Sequence, residues 1–75
     1  MNILARAQEL ETTSNGTIAA GFLYAKVKNI AEETATVNGV SLSAGEAKIY
    51  PFIGKGYEAV PYNPNGSRLQ ILSVV

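Results

Sequence analysis

The chain of 75 residues contains no cysteine, no histidine and no tryptophan, and its six acidic residues are all glutamate. Each absence removes a class of chemistry. Without cysteine there are no disulfides and no thiolate metal sites. Without histidine the commonest metal ligand and general base is missing, and imidazole-dependent triads are excluded. Without aspartate the Asp/Asn alternation of calcium loops does not occur. Charge of one sign is lacking as well. Six basic residues balance six acidic ones, whereas nucleic-acid binding needs a basic stripe to neutralise phosphates. No apolar run approaches the ~18 residues of a membrane span, and no charged-then-apolar stretch resembles a secretory signal. The expectation is a soluble chain made in a reducing compartment, with no cofactor, no nucleic-acid partner and no membrane segment.

The length allows a single domain, residues 1–75, with little margin. Folding a chain of this size removes about 7,100 Å² from water. With ~60% of that area apolar, burial stabilises by roughly 105 kcal/mol. Ordering the residues costs roughly 110 kcal/mol. The two cancel, and small domains in this position rely on a disulfide, a metal or a neighbour. With cysteine and histidine absent, the expected staple is another polypeptide: a second copy, or a larger assembly.

Turn chemistry is the clearest positive signal. Asn-Gly occurs three times, at Asn15-Gly16, Asn38-Gly39 and Asn65-Gly66, and tight type I′ hairpins favour Asn then Gly because both central residues need positive φ. Ser43-Ala44-Gly45-Glu46 and Gly54-Lys55-Gly56 also read as turns. The segments between alternate with period two. From Phe22 to Ile30, Leu23, Ala25 and Val27 oppose Tyr24, Lys26 and Lys28. Thr34 to Val37 leads through Asn38-Gly39 into Val40 and Leu42, a tight hairpin. Ala47 and Ile49 oppose Lys48, Tyr50 and Phe52, and Pro51 makes that strand an edge or its end. Gly56 to Asn63 reads as a further strand, with Tyr62 to Ser67 as a hairpin loop into Arg68 to Val75. In that last segment Leu69, Ile71 and Ser73 oppose Gln70, Leu72 and Val74, and both faces turn apolar, as in a strand covered on both sides. Residues 1–12 fit a helix by the spacing of Ile3, Leu4, Ala7 and Leu10. They also fit a strand, which the sheet edge of an all-β domain favours. The fold class expected is a small antiparallel β-sandwich or barrel of about six or seven short strands joined by Asn-Gly hairpins.

Little in the chain points to catalysis. Glu32-Glu33 and Glu46 fall in turns, the pattern of solvated loop carboxylates and not of an acid/base pair. Gly54-Lys55-Gly56 lacks the first glycine and the hydroxyl of a phosphate loop, and no helix follows it. Asn65-Gly66-Ser67 matches a glycosylation acceptor, which here means an exposed loop. The aromatic side chains are the binding-type feature. They either fill the core, or form an interface, or stack on sugar rings. The contact residues expected are Phe22, Tyr24, Tyr50, Phe52, Tyr57 and Tyr62, with Leu72 and Val74 at the C-terminus.

Three stretches, Lys26-Val27-Lys28-Asn29-Ile30, Ala35-Thr36-Val37-Asn38-Gly39-Val40 with Leu42, and Ala44-Gly45-Glu46, give the chain its one family likeness. Strand, short loop, Thr-Val-Asn-Gly hairpin and Gly-Glu turn resemble small β-rich structural proteins of tailed bacteriophages. The likeness spans roughly residues 16 to 50. It implies a capsid-decoration, head-fibre or tail component: a non-enzymatic virion protein that self-associates or binds other virion proteins. It brings no catalytic or ligand residues with it. The alternative of another class is a carbohydrate-binding or adhesin module that presents tyrosine rings to a surface glycan.

Overall fold

In the computed structural model, residues 4–75 are described. They form eight strands and no helix: β1 (Ala7–Thr12), β2 (Gly16–Ile18), β3 (Tyr24–Asn29), β4 (Ala35–Val37), β5 (Val40–Leu42), β6 (Ala47–Tyr50), β7 (Val60–Asn63) and β8 (Leu69–Val74). The strands make two four-stranded sheets, in the orders β1-β8-β3-β6 and β2-β7-β4-β5. Every pairing is antiparallel. The expected all-β sandwich is correct in class; its strands number eight, because several are only three residues long.

Alternation decides which side of each strand is dry. In β3 the residues Ala25, Val27 and Asn29 are buried, and in β8 Leu69, Ile71 and Ser73 are buried. The second sheet contributes Ile18, Val60, Val37 and Leu42 from the opposite side of the same core. β6 lies at the edge of its sheet and ends at Tyr50, just before Pro51, which has no N–H to donate. The segment 7–12 is an edge strand and not a helix, paired with β8 along its whole length. The sequence reading for residues 1–3 lies outside the described residues.

The Asn-Gly signals require a correction. At Asn38 (φ 52°) and Gly39 (φ 78°) the two-residue loop closes β4 onto β5, with Val37 opposite Val40. This is the sole hairpin of the three. Asn65 and Gly66 adopt similar positive φ values, 50° and 89°, but β7 and β8 belong to different sheets. That turn, closed by the Ser67 N–H donating to the Pro64 carbonyl at 2.9 Å, carries the chain across the sandwich. Gly16 has no positive φ and opens β2. Its reason is space: a Cβ there would meet the Tyr62 hydroxyl oxygen at 2.5 Å.

Two further boundaries shift. The expected strand from Gly56 to Asn63 begins only at Val60, because Tyr57 pairs with the 21–22 segment instead. The Gly21 N–H donates to the Tyr57 carbonyl (2.8 Å), and the Tyr57 N–H donates to the Phe22 carbonyl (2.9 Å). β3 likewise begins at Tyr24, so Phe22 is not on the strand and does not share a face with Tyr24.

Asn29, fully buried, ties the two sheets together at one end. Its Nδ2 donates to the carbonyls of Glu33 (2.7 Å) and Leu42 (2.9 Å). Its Oδ1 accepts from the Ala31 N–H (3.3 Å) and the Ser67 hydroxyl (2.6 Å). All four capacities of the amide are used. Ser67, in the glycosylation-like triplet, is thereby a buried structural residue.

Candidate functional site

The eight expected contact residues separate into four places. Phe22, Tyr50 and Tyr57 form one aromatic cluster inside the sandwich. Phe22 is 0% exposed. Its ring stacks on Tyr57 at 4.8 Å between centroids and meets Tyr50 edge-on at 6.0 Å. Tyr50 and Tyr57 are also edge-on, at 5.6 Å. Phe22 is therefore core and not a contact residue: the strand starting two residues later leaves it in the bend that turns inward. Tyr57, half-buried, donates its hydroxyl to the Pro51 carbonyl. The Tyr50 hydroxyl is buried and has no hydrogen-bond partner. Burial pushes its pKa above the ordinary phenol value, and the neighbouring Tyr57 adds to the push.

Tyr62 belongs to the second sheet, half-buried over Gly16 and packed on the core. Tyr24, Leu72 and Val74 share the outer face of the first sheet. Pairing register sets that face in rows: Ala7, Val74 and Tyr24; then Glu9, Leu72, Lys26 and Ile49; then Glu11, Gln70, Lys28 and Ala47. A shallow groove of about 160 Å³ lies along it, between Glu9 and the two lysines and floored by Leu72 and Gln70.

Phe52 lies on the loop that leaves β6, 64% exposed, beside Ile53 at 57%. The same end of the first sheet carries exposed Val75, which exchanges backbone hydrogen bonds with Arg6 just beyond β1. Exposed Leu4 follows on that side. The opposite end is polar: Glu46 accepts from the Ser43 N–H at 2.7 Å. That backbone hydrogen bond, helped by the Ser43 side chain, holds the Glu46 carboxyl below its ordinary pKa.

Ile49, Ile53, Val75 and the Glu9–Lys26 row were missed as surface features. The sequence carried some signal for them. Ile53 extends the apolar Pro51-Phe52 step before a glycine, and Lys26 and Lys28 alternate with buried residues. That Glu9 and Glu11 share their face follows only from strand pairing.

A cleft of about 220 Å³ opens between the sheets at the β1 and β2 edges, lined mainly by Leu10, Ile18, Ile71 and Tyr62. Among the described residues no group of three His, Cys, Asp or Glu side chains gathers to hold a metal ion. No helix among them is long and apolar enough to cross a membrane. No known protein-family model, curated protein or solved structure matches the chain.

Proposed function

We propose that this chain is a non-enzymatic assembly subunit, a structural component of a larger particle such as a phage capsid or tail, completed by copies of itself or by other structural proteins. The supporting observation is the balance of its apolar side chains. Apart from two alanines, the buried core consists of Ile18, Phe22, Val27, Val37, Leu42, Val60, Leu69 and Ile71. Against these eight, eight large hydrophobic side chains are exposed among the described residues, and Leu4, Phe52, Ile53 and Val75 among them fall at one end of the first sheet. Single exposed apolar residues are ordinary, but a concentration at one end is the mark of an interaction surface. The virion setting rests on the sequence likeness around the β3–β6 segment. Three of the six aromatic rings face one another in the core, and Tyr24 and Tyr62 lie on different sheets. This favours assembly over a tyrosine platform for glycans.

Native mass by light scattering across a dilution series tests the reading. A multimer is expected, with a thermal midpoint that rises with concentration and self-association weakened in a Phe52→Ser, Ile53→Ser variant. A monomer at every concentration, with a sharp and concentration-independent transition, overturns completion by copies of itself, and absence of the chain from purified particles overturns completion by other structural proteins. The particle setting is tested by locating the reading frame beside capsid or tail genes and the chain in purified particles.

A further inference from the structure

We infer that the outer face of the first sheet is a self-complementary interface, on which a second copy of this chain packs face to face about a two-fold axis lying along β8. This deepens the assembly reading and rests on it. The face is divided by charge: β1 presents Glu9 and Glu11, β3 presents Lys26 and Lys28, and β8 between them presents uncharged Gln70, Leu72 and Val74, with Arg68 just before β8 already paired to Glu11 at one margin of the face. Within one copy the acidic and basic strands stand two strand spacings apart, ~9.6 Å. Among the described residues the one ion pair is Arg68–Glu11, at 3.4 Å and exposed. Glu9, Lys26 and Lys28 therefore have no ion-pair partner there.

A two-fold axis parallel to β8 exchanges left for right and preserves position along the strands. It lays Glu9 over the Lys26 of the other copy, Glu11 over its Lys28, and Leu72 on Leu72. Sheets packed face to face sit ~10 Å apart, a gap that Glu and Lys side chains span end to end. The groove between Glu9 and the lysines receives the facing side chains. The same glutamates disfavour the other homotypic contact, edge pairing of β1 with β1. There, antiparallel registers set like charges opposite or adjacent, which is destabilising. The face measures about 19 Å by 20 Å, roughly 380 Å² per copy. A standard stable interface takes ~800 Å² per partner. The contact is therefore weak and salt-sensitive by itself, and suited to a repeated contact within a larger array.

Charge exchange tests this directly. One variant carries Glu9→Lys with Glu11→Lys, the other Lys26→Glu with Lys28→Glu; circular dichroism checks that each keeps its β fold. Measured by analytical ultracentrifugation, each variant alone is expected to self-associate at least ~10-fold more weakly than the unaltered chain. An equimolar mixture is expected to associate at least as tightly as the unaltered chain, and the four-fold exchange in one chain to restore self-association. Should a double variant not fold, Glu9→Lys paired with Lys26→Glu makes the same comparison. Self-association of both variants at unaltered strength, or a mixture that stays monomeric, overturns the interface and leaves the assembly reading standing with another surface. An unaltered chain that never associates overturns this interface together with self-assembly, and leaves only other structural proteins as partners.

Discussion

β3 runs between two unlike fastenings. At its last residue, Asn29 joins the sheets through four side-chain hydrogen bonds to three separate segments of the chain. Before its first residue, Phe22 fastens the β6 end and the loop after it through ring contacts with Tyr50 and Tyr57. Hydrogen bonds are directional, so the Asn29 end specifies which loop lies where, and its polar groups are all paired. Ring packing specifies volume and little else, and at that end the Tyr50 hydroxyl is left without a partner. The polar end is thus closed, whereas the aromatic end places Phe52 and Ile53 in solvent. A molecule fastened in this way has one end where a buried amide is fully paired and one where a buried hydroxyl is unpaired and large apolar side chains stand in solvent.

Substitutions at each end measure the contrast. The largest effect expected is Phe22→Ala, which removes the fully buried ring that both tyrosines touch. It should cost about 3–5 kcal/mol in urea unfolding, and a loss below ~1 kcal/mol contradicts a core role. Asn29→Ala should cost about 3 kcal/mol, because the Glu33 and Leu42 carbonyls, the Ala31 N–H and the Ser67 hydroxyl all lose a partner. Amide exchange at Ala31 and Ser67 should speed up first, while the aromatic end keeps its protection. The smallest effect has the opposite sign. Tyr50→Phe removes an unpaired buried hydroxyl and should stabilise by about 1 kcal/mol.

Tyr50 also adds a pH test. Its phenol is raised in the folded state by burial, so in alkali the unfolded chain loses this proton first. Stability is full below the unfolded value of ~10 and declines as pH rises through the folded one. Urea midpoints measured below and above ~pH 10 should fall less in Tyr50→Phe than in the unaltered chain.

Local features were readable where local physics decides them. Asn38-Gly39 closes a hairpin because only these two residues separate the paired Val37 and Val40, and no distant contact is consulted. The dry side of β3 and β8 followed from alternation, and the end of β6 from Pro51. The same Asn-Gly pair at residues 65–66 has the same backbone shape, yet the strands it joins lie in different sheets. The turn bends the chain; what the next strand pairs with depends on the rest of the core. Of the expected contact residues, Tyr24, Leu72 and Val74 stand together on one face. Phe22 does not, because a strand boundary displaced by two residues moved it inside.

Composition, turn residues and period-two patterning by themselves determined an all-β fold class without thiol, imidazole or aspartate side chains, and the side each central strand turns inward. Only the tertiary structure decided that β8 lies between β1 and β3, and so which charges share a surface. Alternation is a property of neighbouring residues along one strand. The order of strands is set by non-local pairing, in which residues as far apart as Glu9 and Leu72 find each other across the whole chain.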